Sequence, residues 1–207
     1  MTNAQRLSAL ASAALLAVAV TACASSLRPT TSPSSTRSLP SPTTATSVAT
    51  PPSASEAASR AASNLVTRYY ATVDQLGQQL SAPLDDLSAV AAGVQLNAER
   101  TLLKEQRRSK ERQIGDTRVA RLEVQSVNLD NSDPSAGKVP TVELDVCWDV
   151  SKVDVVNASG KSIVSKSRAD TGWTRLIVAN YHYATDPTRG WRVATGQDLE
   201  KAPCAAS

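Results

Sequence analysis

Apolar positions are distributed along this chain in four ways. Residues 7 to 20 (LSALASAALLAVAV) form one uncharged run. From 24 to 55 large apolar side chains nearly vanish, leaving Ser, Thr, Pro and Ala. From Glu56 to about Lys110 they recur every three or four residues, the period of an α-helix; after Gly115 they recur every second residue, the period of a strand. Helices first, then sequential antiparallel strands, is the order of an α+β domain.

The first helix has the clearest start. Ser53 and Glu56 stand at capping-box spacing. Ala58, Ala62, Leu65, Tyr69, Val73, Leu76 and Leu80 then fall on one face. Pro83 followed by Asp85 and Asp86 predicts the first turn of a second, short helix. A third is predicted from about Val94 to Lys110, with Leu96, Leu102 and Leu103 inward. In TRVARLEVQSVNLD, Ala120, Leu122 and Val124 share a face while Val127 and Leu129 fall out of phase, which predicts a bulge in a long bent strand. TVELDVCWDV alternates more cleanly, with Val142, Leu144, Val146, Trp148 and Val150 on one side. KVDVVNASGKSIV reads as a hairpin turning at Asn157 to Gly160. A long strand from about Gly172 to Tyr183, a turn at TDPTRG and a last strand at WRVAT follow.

The uncharged run follows Arg6 and is shorter than the roughly twenty residues a membrane span needs, so it reads as a secretory signal peptide. It leads to Val20-Thr21-Ala22-Cys23, which resembles the bacterial lipobox: an aliphatic residue, two small residues and a cysteine. That resemblance implies a diacylglycerol on the Cys23 thiol and cleavage just before it. The expected partner is then the membrane, reached through a Cys23 anchor on the extracytoplasmic face, since two acyl chains hold where one is marginal. Residues 1–22 are the signal peptide, 23–55 the lipidated cysteine with a disordered tether, and 56–207 the folded domain. The tether cannot bury enough apolar surface to offset the entropy of folding.

Charge looks different once the tether is set aside. The chain holds 22 basic and 19 acidic side chains, and its excess of three consists of Arg6, Arg28 and Arg37, all before Glu56. The domain itself is balanced, so the basic pI gives no reason to expect nucleic acid as a partner. With Phe absent, its core must come from Leu, Val, Ala and a few Trp and Tyr rings. The segment from Arg100 to Arg121 is an exception to the balance. Arg100, Lys104, Arg107, Arg108, Lys110 and Arg112 sit there as candidate contacts for anionic lipid head groups or wall polymers; the same pattern also suits a solvated helix face.

Cys147 and Cys204 remain after Cys23 is assigned. On the exported side of a membrane an even pair is most simply a bridge, here tying the C-terminal tail to a central strand. Cys147-Trp148-Asp149, then VDVVNASGKSIV, then Gly190-Trp191-Arg192-Val193 and a last cysteine resemble a group of actinobacterial cell-envelope lipoproteins. AAGVQLNAERTLL is similar to their entry into the third helix. The resemblance covers about residues 60 to 204. It implies a nuclear transport factor 2-like (cystatin-like) domain, with N-terminal helices packed on a curved antiparallel sheet. Trp148 departs from the small or aliphatic residue common there, which implies a cone partly filled by an indole.

Catalytic signatures are sparse. SGKS lacks the glycine that a phosphate loop needs, since position 155 is Val155. Asp130 to Asp133 lacks the spacing of a calcium loop. No metal site and no cofactor is expected, and no residue is assigned as catalytic. His182, the chain's single histidine, lies on a predicted strand and could meet Asp145 or Asp149 if it faced the cone. The expectation is a binding or scaffolding role in the envelope, with an envelope protein as one candidate partner. The alternative is a small-molecule enzyme or an apolar-ligand carrier using the cone.

Overall fold

A computed structural model describes residues 51–204. The signal sequence, Cys23 and most of the tether lie outside the described residues. The folded unit runs from Val48 to Ser207. Its core is drawn wholly from residues between Ala58 and Val193, so it encloses its own interior.

Helix α1 (Ala54–Gln78) begins as its capping box dictates. The Glu56 amide donates to Ser53 Oγ at 3.2 Å, and the Ser53 amide donates to Glu56 Oε2 at 2.7 Å. Its apolar stripe buries Ala58, Ala62, Leu65, Val66, Tyr69 and Leu76. Pro83 then starts a single 3₁₀ stretch, Leu84–Ala89, whose Leu87 is buried. Helix α2 (Gly93–Arg108) buries Leu103 and half-buries Leu96. Leu102 does not turn inward as expected; it is 53 % exposed. Leu96 and Leu103 lie two turns apart on one face, and a residue next to Leu103 points about 100° away from it.

The main sheet has the order β2-β3-β5-β6, formed by Arg118–Asn128, Thr141–Asp149, Thr171–Asn180 and Trp191–Leu199. Every pairing is antiparallel. The short strands β1 (Arg112–Ile114) and β4 (Asp154–Val156) pair separately. Helices packed on this sheet make the domain α+β. The slip expected in β2 is present twice, between Val119 and Arg121 and between Val124 and Ser126. The first extra residue drops Ala120 from the alternation, so Val119, Leu122 and Val124 stand opposite Trp148, Val146 and Leu144 on the inner side, and the second brings Val127, opposite Val142, to that side as well. Leu122 and Val124 share a face as expected, although Val124 is 41 % exposed, and Ala120 alone departs from it.

One further expectation changes at the end of β5. The strand stops at Asn180, so Tyr181, His182 and Tyr183 lie in a turn and His182 is exposed. The cause is Asn180, which is fully buried: its Oδ1 accepts the His182 amide at 2.9 Å and its Nδ2 donates to the Asp186 carbonyl at 2.8 Å. Trp173 pairs with Cys147 in the register and belongs to the outer face. ASGKS behaves as a hairpin turn, with the Gly160 amide donating to the Asn157 carbonyl at 2.9 Å.

The chain's own tail lies over the end of the outer face around Cys147 and Trp173. Cys147 and Cys204 form a disulfide with their Cα atoms 6.2 Å apart, closing a separation of 57 residues. A loop of that size contributes about 4 kcal/mol in the chain-entropy treatment. Trp173 Nε1 donates to the Ala202 carbonyl at 3.2 Å, and Lys201 Nζ lies 4.7 Å from the Trp173 ring centroid. Lys201 and Arg175 both reach Asp145, whose side chain is 1 % exposed.

These contacts set an acid limit. The Arg175 hydrogen bonds, and after them Lys201, hold the Asp145 carboxyl below the usual carboxylate range. Ser151 first, and then Arg118, pull Asp149 down to about 2. A carboxyl near 3.9 when unfolded and lower when folded stabilises the fold above about pH 4 and loses that contribution as pH falls through the folded value. Melting temperature should therefore fall between about pH 4 and 2, and the decline should flatten in Asp145→Asn plus Asp149→Asn. An equal decline in that double variant would refute the assignment.

Candidate functional site

The inner face of the sheet does not fill completely. Between it and the helices lies an open cleft of about 490 Å³, within the range of small-molecule sites. Helix α1 contributes Tyr69, Tyr70, Val73 and Asp74, which lie within little more than one turn and so reach the same space. Helix α2 contributes Gln95, Glu99 and Leu102, at i, i+4 and i+7. From the sheet come Trp148, Thr174, Leu176, Gly196 and Asp198. Alternation explains this set: Trp148 pairs across from Gly172, Thr174 from Asp198, and Leu176 from Gly196, all on the inner side.

Two glycines make the space. A Cβ on Gly196 would stand 3.0 Å from Leu176 Cδ2 and 3.3 Å from Gln95 Oε1, so this position keeps the floor open. A Cβ on Gly172 would overlap the six-membered ring of Trp148, 2.7 Å from Cη2. The indole therefore lies flat over Gly172, a cross-strand covering of glycine by an aromatic ring. Its Nε1 donates to Thr174 Oγ1 at 3.0 Å, and Thr174 Oγ1 donates to Asp198 Oδ1 at 2.9 Å. This chain of bonds fixes the ring as a wall of the cleft. The indole thus trims the cone without closing it.

A second polar group bridges the helices. Tyr69 Oη donates to Glu99 Oε1 at 2.6 Å, and Gln95 Nε2 donates to both, at 2.7 and 3.0 Å. Burial first, then the charge of Glu99, pushes both the Tyr69 and Tyr70 phenols upward, so they stay protonated. Asp74 is buried and accepts from Gln113 Nε2, the Thr117 amide and Thr117 Oγ1 at 2.6, 2.7 and 2.8 Å. It ties α1 to the segment between β1 and β2.

His182 is absent from this lining, and Asp145 and Asp149 face the other side of the sheet. The structure does not bring the histidine together with either aspartate. The basic residues of 100–112 are also dispersed. Arg100 pairs with Asp85 at 3.2 Å, and Arg108 pairs with Glu105. Arg107 Nη2 reaches the Leu76 and Gln79 carbonyls at 3.4 Å, closing the C-terminal end of α1. Lys104, Lys110 and Arg112 are exposed. Among the described residues no three side chains converge as metal ligands, and no helix is long and apolar enough to cross a membrane.

The sequence reading passed over Gln95, Glu99 and Tyr70. Their signal was present: Gln95 and Glu99 recur at i, i+4 beside the Leu96–Leu103 stripe, a polar pair bordering a buried face.

No protein-family model matches this sequence, and no curated protein matches it. Among solved structures, the crystal structure of the intermembrane space region of chloroplast protein ARC6 is similar at 19 % identity and a TM-score of 0.46, over 68 % of this chain and 95 % of that one.

The geometry of the indole gives a direct test. Gly172→Ala should push Trp148 off the sheet, change the near-ultraviolet circular dichroism and cost about 1–3 kcal/mol in urea unfolding. A neutral substitution with an unchanged aromatic spectrum would contradict the described packing.

Proposed function

We propose that this chain is an exported, lipid-anchored envelope protein that binds a small ligand in the inner cleft. The observation that carries the reading is the open cleft of about 490 Å³, walled by aromatic and aliphatic side chains with a few fixed polar groups. Binding is favoured over catalysis by what the cleft holds. Its phenols are raised in pKa and are poor proton donors or acceptors near neutrality, and the lone histidine is elsewhere. A role resting only on protein contacts would leave the cleft without a purpose.

Location is supported by three features of the sequence. The Arg6-led apolar run, the Val20–Cys23 lipobox pattern and the Ser/Thr/Pro tether follow one another in the order an anchored export needs. The Cys147–Cys204 bridge suits an oxidising compartment. The resemblance to actinobacterial envelope lipoproteins of nuclear transport factor 2-like fold points the same way. The tether would let the domain stand off the bilayer, or lie against it with Lys104, Lys110 and Arg112 toward anionic head groups or wall polymers.

The cleft is tested with N-phenyl-1-naphthylamine, a neutral apolar dye, and the unit Val48 to Ser207. Saturable fluorescence enhancement is expected, and Gly196→Leu, which fills the floor, should abolish it, with a lowered but still cooperative melting transition showing that the variant folds. Absence of saturable binding to the unsubstituted unit would overturn the reading. The anchor is tested separately, by palmitate labelling in a bacterium that performs lipobox processing. Cys23→Ala should lose the label and leave the membrane fraction; an unlabelled parent chain would contradict the anchor.

A further inference from the structure

We infer that the cleft selects an organic cation: an amine or quaternary ammonium group carried on an apolar body. This deepens the reading of the cleft as a binding site and rests on it.

Charge is the first ground. Asp74, Glu99 and Asp198 line the cleft. Asp74 is already answered by Gln113 and Thr117 and serves the fold. Glu99 and Asp198 differ from it in keeping one carboxylate oxygen without a donor. Glu99 accepts only from the neutral donors Tyr69 and Gln95, and Asp198 only from Thr174. Each uses one carboxylate oxygen for these bonds, and neither has an ion-pair partner among the described residues. The single basic side chain of the lining is Arg168. It stands 3.7 Å from Asp170, and its Nη2 donates to the Val150 and Val153 carbonyls at 2.8 and 3.0 Å. Its Nη2 is held by those carbonyls while its Nε is buried without a hydrogen-bond partner, and one guanidinium against the three carboxylates of the lining leaves the cleft an excess of negative charge.

The walls are the second ground, and they are independent of the first. Tyr69, Tyr70 and Trp148 bring three aromatic rings to a space that also holds the two carboxylates. The face of an aromatic ring is its negative pole, and it attracts a cation more strongly when both are withdrawn from water. The Tyr70 hydroxyl has no hydrogen-bond partner among the described residues, so this ring is held by packing and faces the cleft without a prior commitment. Leu102, exposed at the edge of the cleft, offers apolar surface to the rest of the ligand. An anion placed here would meet two carboxylates without counter-ions. A neutral molecule would gain burial and nothing from the charge.

The test compares a cation with its uncharged carbon isostere. Benzyltrimethylammonium and neopentylbenzene have the same shape, and each is used to displace N-phenyl-1-naphthylamine from the unit Val48 to Ser207. The cation should displace the dye at roughly tenfold lower concentration, a preference of the size that a half-buried Glu99, an exposed Asp198 and the ring faces together give. In Glu99→Gln plus Asp198→Asn the cation's advantage over the isostere should shrink to the part that the rings supply, read as the ratio of the two displacing concentrations, with circular dichroism as the check that the helices stay packed on the sheet. Raising the salt concentration should narrow the gap in the parent and leave the double variant unchanged. Equal displacement by both compounds in the parent overturns the cation inference while the cleft remains a binding site. If the dye itself does not bind, the cleft reading falls, and this inference falls with it.

Discussion

The outward side chains of β3 and β5 would strand a buried carboxylate if nothing covered them. Asp145 sits in mid-strand with almost no exposure, and only two cations reach it: Arg175 from the neighbouring strand and Lys201 from the tail. Removing either partner would leave charge in a place where water cannot answer it. The Cys147–Cys204 bridge and the Trp173–Ala202 hydrogen bond hold the tail where Lys201 can serve. The tail is therefore a structural layer of the domain. With the tail over this part of the outer face, the same strands give their inner face to the helices and the cleft.

The inner face is divided along its length. Toward one end, Val142, Leu144, Val178, Val193 and Trp191 meet the buried stripe of α1 and make a dry core. Toward the other, the residues become Trp148, Thr174, Gly172 and Gly196, and the packing gives way to the cleft. The change follows from side-chain volume: glycines opposite an indole and a leucine leave room that aliphatic pairs would have filled. Helix α2 then closes one side through Gln95 and Glu99, whose bonds to Tyr69 lock it to α1. Cleft shape and cleft charge thus come from the same few residues that join the helices.

Much of this was legible in the chain. Alternation in TVELDVCWDV assigned Val142, Leu144, Val146 and Trp148 to the inner face, and the pairing confirms it. The capping box located the start of α1, and the phase slip in β2 predicted its bulge. What failed did so for local reasons. A buried Asn180 captured the backbone of His182, so a run of strand-forming residues became a turn. Leu102 stands beside Leu103, which faces another way, and hydrophobicity alone could not say which neighbour turned in. A cone with the Trp148 indole in it was implied by the resemblance, but what shapes the cleft was not legible in the residues. The cleft is made by side chains that are missing, at Gly172 and Gly196, and by polar residues whose partners lie on another helix.

The most direct measurement is the set of indole ¹H–¹⁵N resonances of the unit Val48 to Ser207 during titration with benzyltrimethylammonium. The three tryptophans are placed as a built-in control: Trp148 walls the cleft, Trp173 lies under the tail, and Trp191 is in the core. A saturable shift of the Trp148 signal, with Trp173 and Trp191 unmoved, is the result this account predicts. Shifts confined to Trp173 or Trp191, or none at all, would contradict it.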